Sequence, residues 1–242
     1  MNIYGDQGNI LALTKQCQDN GIKTKLNNVE VGDKFDPKAH DFIFMGGGQD
    51  QNQLRITKDS LTKKSAITQS VEENKVFLLI CGAYQVFCQY FKSIDAYELE
   101  GLSVFDAYTI GSTHRKIGNV VVDLNSKSHP ELDSGSMQIN PNTLVGFENH
   151  SGNTFINDFK HTQPLGKVVT GYGNNDQDEY EGARYKNCFG TYLHGSLLPK
   201  NPHLAKYLIS LALQNKYKQE FKLESDDGLE LEAHDFIINN RS

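Results

Sequence analysis

The sequence predicts an α/β fold: an open, mostly parallel sheet flanked by helices, with a nucleophile elbow where one strand turns into a helix. Three observations lead there. Val76-Phe-Leu-Leu-Ile80 is an unbroken apolar run of strand length, the pattern of a strand buried on both faces. Strand-like and helix-like segments alternate along the chain. Residues able to do chemistry (Cys81, the glycines 46–48, His194) fall just after predicted strands, and open α/β sheets bind ligands at the carboxyl ends of their strands.

The elements follow in order. Met1-Asn-Ile-Tyr4 reads as the end of a strand. Gly5-Asp6-Gln7-Gly8-Asn9 is a turn in which Asp6 or Asn9 caps a helix from Ile10 that stops at Asn20-Gly21. Ile22–Val29 reads as a strand. Asp41–Met45 is a buried strand running into Gly46-Gly47-Gly48-Gln49-Asp50, where three glycines let backbone N–H groups approach a ligand. No G-K-[ST] follows, so this is not a Walker phosphate loop. Ser60–Asn74 reads as a helix, Val76–Ile80 as the central strand, and Tyr84–Phe91 as the helix after the elbow. Strands are expected at Val104–Ile110 and Ile117–Leu124 with a polar link between them, at Leu144–Phe147, at Val168–Gly173 and at Tyr185–Leu193. Residues 125–142 read as a surface loop, and His203–Tyr217 as a helix opened by Pro199 and Pro202. The acidic tail from Gln219 is expected to be partly helical. Residues 1–200 thus form the main domain, with 201–242 a helical extension packed on it.

Composition excludes several functions. A net charge of −6 leaves no basic footprint for nucleic acid. No apolar run approaches the roughly 18 residues of a membrane span, and no charged-then-apolar leader opens the chain, so a cytoplasmic protein that is not membrane-embedded is expected. The cysteines, Cys17, Cys81, Cys88 and Cys188, have no C-x-x-C spacing, which points away from zinc and from a disulfide framework. No metal site is expected.

Cys81 is the cysteine whose position suggests reactivity. It sits between a buried strand and a helix whose first N–H groups point back at it. A thiol of pKa about 8.5 needs a base or a lowered pKa to attack a carbonyl near neutral pH. Of eight histidines, His150 and His194 each sit after a predicted strand and before a glycine-containing turn, and position alone leaves the choice of base between them open. The N–H of Gly82 or Ala83, together with the Gly46–Gly48 turn, would make an oxyanion hole.

Cys81-Gly-Ala-Tyr-Gln85, Gly46-Gly-Gly-Gln-Asp50, Glu148-Asn-His-Ser-Gly152, Gly171-Tyr-Gly-Asn-Asn175 and Gly190-Thr-Tyr-Leu-His194-Gly195 carry a resemblance. Over roughly residues 1–200 the chain resembles the class I glutamine amidotransferases of the cobyric-acid-synthase-like branch, and within it the glutaminase subunits of lipid II isoglutaminyl synthases. The resemblance implies a flavodoxin-like fold and a Cys–His dyad. Cys81 would attack the side-chain amide of L-glutamine, and His194 rather than His150 would be the base. Gly47 with Gly82 or Ala83 would hold the oxyanion, and Arg115 would hold the substrate. Gly48, Gln85, Asn149 and His150 would line the pocket. It further implies a heterodimer with a Mur-ligase-like (MurT-type) synthetase subunit. That partner would carry ATP and magnesium and would amidate the D-glutamate of lipid II with the ammonia released here, near the inner face of the membrane. No cofactor is expected on this chain.

The sequence departs from the pattern in several places. Most class I enzymes carry a carboxylate two residues after the catalytic histidine. Here that position is Ser196, as in the cobyric branch, and the resemblance implies that an aspartate of the partner completes the triad. Ala83 stands where related elbows have glycine. The family's first strand is missing, so either the start is late or the sheet edge is formed differently. The loop at residues 125–142 is longer than expected. Two further readings are a cobyrinate-type acceptor and a non-catalytic subunit of the same fold.

Overall fold

The structure, a computed structural model, describes residues 6–48, 50–95, 97–124 and 140–240. Met1–Tyr4 and most of the expected 125–142 loop lie outside the described residues.

Among the described residues the sheet that carries the elbow has four strands: β1 (Phe42–Met45), β2 (Val76–Ile80), β9 (Ala183–Tyr185) and β10 (Cys188–Thr191), in the order β1-β2-β10-β9. β2 pairs in parallel with both neighbours, and β9 closes the edge antiparallel. This is the expected mostly parallel sheet. Every residue of β2 is buried, and alternation divides its side chains between two cores. Val76, Leu78 and Ile80 face Phe189, Leu193 and the helix α5 (Pro202–Tyr217). Phe77 and Leu79 face α3 (Lys64–Glu72), the elbow helix α4 (Gly82–Phe87), and Phe105 and Tyr192. The apolar run is therefore a period-2 strand loaded on both faces.

A second sheet, six-stranded among the described residues, packs beside the first and is largely antiparallel. It contains β3 (Tyr90–Lys92), β4 (Glu98–Glu100), β5 (Ala107–Asp123), β6 (Thr143–Ile156), β7 (Gly166–Thr170) and β8 (Tyr180–Glu181). Val120 and Val122 of β5 and Leu144 of β6 enter the same core as β2, which joins the two sheets.

The first helix, α1 (Gln7–Asp19), ends where expected. Gly21 at φ +66° supplies the left-handed turn, and the Ile22 N–H returns to the Cys17 carbonyl. Ile22–Val29 is not a strand: almost all of it is exposed, so it has no buried face to bring to a ladder. The helix expected over Ser60–Asn74 is two, α2 (Asp50–Thr62) and α3, broken at Lys63. α4 stops at Phe87, because Tyr90 and Phe91 pair with β4 and β5 instead of continuing the helical face. The two strands expected between Val104 and Leu124 are one, β5, with a register shift between Gly111 and Lys116. Likewise β6 runs through Glu148–Gly152, so His150 lies inside a strand and not after one. The strand expected over Tyr185–Leu193 turns at Lys186, which has φ +52°, and becomes β9 and β10.

At the C-terminus, α5 packs on β2, and α6 (Gly228–Asn239) docks through the buried His234. The His234 ring reaches Thr143 Oγ1 at 2.9 Å and the Lys200 carbonyl at 2.8 Å. Among the described residues no helix is long and apolar enough to cross a membrane.

Candidate active site

Cys81 stands at the carboxyl end of β2 with φ +52° and ψ −106°. Side chains other than glycine occupy that region at a cost of about 1–3 kcal/mol, and they persist there only when neighbours impose it. Here the Cys81 N–H donates to the Thr191 carbonyl at 2.8 Å, and the Cys81 carbonyl accepts the Gln85 N–H at 3.1 Å. The elbow is thus clamped from β10 on one side and from the first turn of α4 on the other. Burial pushes the thiol up to about 12. The Gly82 N–H and the Arg115 charge pull it down, while Asp6 and Glu181 push it further up. At neutral pH Cys81 rests as a thiol and needs a base.

His194 follows β10 and is buried. Its backbone bridges to β6: the His194 N–H donates to the Phe147 carbonyl at 2.7 Å. The approach to it is held at every step. Glu181 Oε1 accepts the Thr191 hydroxyl at 2.6 Å and the Tyr192 N–H at 2.7 Å, and the Leu193 N–H donates to Thr191 Oγ1 at 3.0 Å. Burial lowers the His194 ring to about 4, helped by His150 and Arg115. It is therefore neutral at pH 7, the state a general base requires.

Gly47 lies against both residues. A methyl group in place of its α-hydrogen would lie 3.0 Å from His194 Cε1, 3.6 Å from Cys81 Cβ and 3.6 Å from Asp6 Oδ2. A side chain at this position would crowd the imidazole, so glycine keeps the space beside His194 and Cys81 open. The Gly47 N–H, expected at the oxyanion, donates instead to Asp6 Oδ2 at 2.6 Å. Gly82 and Ala83 are buried at the start of α4, and Gly48 is half-buried beside Gly47.

The other expected residues surround this centre. Arg115 lies in the irregular part of β5, and its Nε donates to Asn149 Oδ1 at 2.6 Å. Its charge reaches both Cys81 and His194. His150 stacks on Tyr192 with ring centroids 3.7 Å apart, donates from Nδ1 to the Gly152 carbonyl at 2.9 Å, and has Nε2 3.5 Å from Glu148. It supports the segment leading to His194. Gln85 Nε2 donates to the Tyr192 hydroxyl at 3.0 Å, which is hydrogen bonded in turn to Thr154 at 2.6 Å. The Gly171–Asn175 motif is a brace. Glu148 accepts the N–H groups of Tyr172 and Gly173, and Asn174 bonds both backbone groups of Gly182.

Sequence reasoning missed two carboxylates. Glu181 is buried, and its carboxyl is raised to about 7 chiefly by that burial. Asp6 was expected as a helix cap, but its side chain makes no capping bond to α1 and turns to Gly47. Its neighbours face the His194 loop: the Leu198 N–H donates to Asn9 Oδ1 at 2.8 Å, and Gly8 packs on Ser196. The signal available was two glycines and two short polar side chains within five residues, more than a cap requires.

Comparison with known proteins gives the family of the chain. The model of the CobB/CobQ-like glutamine amidotransferase domain matches residues 1–202. The chain belongs to that family. Among curated relatives, this amidotransferase chain is 38% identical over 230 residues to the Streptococcus pneumoniae protein "Lipid II isoglutaminyl synthase (glutamine-hydrolyzing) subunit GatD", covering 95% of this chain and 83% of the relative. It is 36% identical over 239 residues to the Staphylococcus aureus protein of the same description, covering 99% and 91%. A probable cobyric acid synthase of Methanocaldococcus jannaschii is 28% identical over 62% of this chain and 29% of the relative. Solved structures share the fold: the glutaminase domain of Trypanosoma brucei CTPS has a TM-score of 0.54 at 16% identity, covering 94% of this chain and 95% of that one. PurLQS from Thermotoga maritima has a TM-score of 0.55 at 14% identity, covering 88% and 93%.

Proposed function

We propose that this chain is the glutaminase subunit of a lipid II isoglutaminyl synthase, with Cys81 as nucleophile and His194 as base. The observation that carries the site is the convergence of a strained, clamped cysteine and a buried neutral imidazole on Gly47. The near full-length likeness to the two GatD proteins carries the substrate class.

In this reading His194 takes the Cys81 proton as the sulfur attacks the side-chain amide carbon of L-glutamine. N–H groups at the start of α4 steady the oxyanion. The tetrahedral adduct collapses, the imidazolium protonates the departing nitrogen, and ammonia leaves a γ-glutamyl thioester. His194 then draws a proton from water, which cleaves the thioester to glutamate and restores the thiol. Arg115 holds the glutamine. A Mur-ligase-like, MurT-type partner in the cytoplasm binds ATP and magnesium, activates the D-glutamate α-carboxylate of lipid II at the membrane's inner face, and receives the ammonia for peptidoglycan amidation. Ser196 stands where a triad carboxylate would, so an aspartate from the partner completes the triad and activity depends on the complex. A triad histidine without its carboxylate loses about 10⁴ in rate.

The test is ammonia release from L-glutamine by the chain alone and with the synthetase subunit, for wild type, Cys81→Ala, His194→Ala and His150→Ala. Release should rise on complex formation, vanish without Cys81, and fall further without His194 than without His150. Release that survives Cys81→Ala would refute the assignment.

A further inference from the structure

The glycine turn that separates Cys81 from His194 has no side chains with which to hold itself. Gly46, Gly47 and Gly48 follow β1 directly, and glycine loses more conformational freedom on ordering than any other residue. Whatever fixes this turn must come from elsewhere in the chain. The structure supplies it in Asp6, a fully buried carboxylate whose Oδ2 accepts the Gly47 N–H at 2.6 Å. A bond to an ionised acceptor is about twice as strong as a neutral one. Asp6 is itself anchored, because the segment 6–9 is seated on the loop after His194 through Asn9 to Leu198 and Gly8 to Ser196. One short segment therefore ties the turn facing Cys81 to the loop that carries the base. The same device recurs nearby, where Glu148 holds the Gly171–Gly173 turn by two N–H groups.

We propose that Asp6 is a positioning residue of the glutaminase site: its carboxylate holds the Gly47 peptide and so sets the gap between Cys81 and His194. The inference rests on Cys81 being the nucleophile. The arrangement has an electrostatic signature that a purely structural carboxylate elsewhere would lack. Among the described residues, Asp6 and Glu181 disfavour the thiolate and Arg115 favours it, and of these Asp6 is the one that also touches the turn.

The experiment compares Asp6→Asn and Asp6→Ala. Asparagine keeps an acceptor oxygen at the same reach and removes the charge, whereas alanine removes both. Glutaminase kinetics are measured in complex with the synthetase subunit, and Cys81 alkylation by iodoacetamide is followed at pH 9 on the chain itself. With the turn unpinned, Asp6→Ala should lose about 10²-fold in kcat, the effect of roughly 1 Å of misplacement, with KM changed far less. Asp6→Asn should stay within about tenfold of wild type. Both variants should alkylate about threefold faster or more, because a like charge has left the thiolate's surroundings. The proposal is overturned if Asp6→Ala keeps wild-type kcat, if Asp6→Asn falls as far as Asp6→Ala, or if neither variant alkylates faster. Should the alanine variant fail to fold, the asparagine variant decides: a loss beyond about tenfold, or an unchanged alkylation rate, overturns it. A Cys81→Ala control separates the two claims, since turnover surviving there refutes the nucleophile and leaves the bond from Gly47 to Asp6 to be judged by kinetics alone.

Discussion

Replacing Cys81 by glycine should make the protein more stable than replacing it by alanine, although both variants are inactive. The comparison isolates one methyl group at φ +52°, ψ −106°. At an ordinary position alanine is the more stable of the two by about 0.4–1 kcal/mol, because glycine gains more freedom in the unfolded chain. At this elbow any β-carbon carries a strain of about 1–3 kcal/mol that glycine does not feel. The difference leaves the glycine variant ahead by up to about 2 kcal/mol, a reversal of the usual sign. Neither variant retains the sulfur, so lost thiol packing cancels between them. The clamps on the backbone, from Thr191 and Gln85, do not involve the side chain and persist in both. Urea denaturation reads the result directly, provided the m-values agree, and thermal melts should separate by roughly 2–4 °C per kcal/mol for a chain of this size. If the alanine variant proves more stable by the usual margin, Cys81 is not strained, and the account of the elbow as a conformation imposed for function fails.

Other outcomes follow from the same geometry. Gly190→Ala places a methyl 2.3 Å from Tyr84 Cδ2 and 3.0 Å from Phe105 Cε2 in a closed core, so it should destabilise the fold by about 1–3 kcal/mol, read as a lower urea midpoint at unchanged m-value. Glu181, raised to about 7 from an unfolded value of 4.5, binds its proton more tightly when folded; its contribution is present below pH 4.5 and is lost as pH rises through 7. Glu181→Gln should therefore gain on wild type by up to about 3 kcal/mol between pH 4.5 and 8 in denaturation measured across that range. His203 has the opposite sign: lowered to about 4 by burial, it stabilises the fold above pH 6.5, and that contribution is lost as pH falls through 4. His203→Gln keeps a donor for the Thr143 carbonyl, which His203 Nε2 meets at 2.9 Å, and should flatten acid unfolding by up to about 3 kcal/mol.

Elements that bury a whole periodic pattern were legible from the sequence. β2, the helix stop at Asn20-Gly21 and the helix α5 lie where their residues place them. The second sheet was not legible as one unit. Its strands carry the polar segments Gly111–Lys116 and Glu148–Gly152, which look like turns when read alone. In the fold they are the irregular middle of one long antiparallel pair, and partner strands settle that, not side-chain period. His150 shows the consequence. Its sequence position, between a strand and a glycine, matches that of His194, yet it lies inside β6 stacked on Tyr192.

By itself the sequence determined that a buried parallel strand would deliver Cys81 to an elbow, and that the glycines 46–48 and His194 would follow strands. Those are local consequences of apolar period and of glycine's missing side chain. Only the tertiary structure decided that Gly47 lies against both Cys81 and His194. It also decided that Asp6, 75 residues before the cysteine, holds that point by its carboxylate. A carboxylate able to cap its own helix can equally accept a distant N–H, and which bond forms depends on the surface the folded chain brings against it.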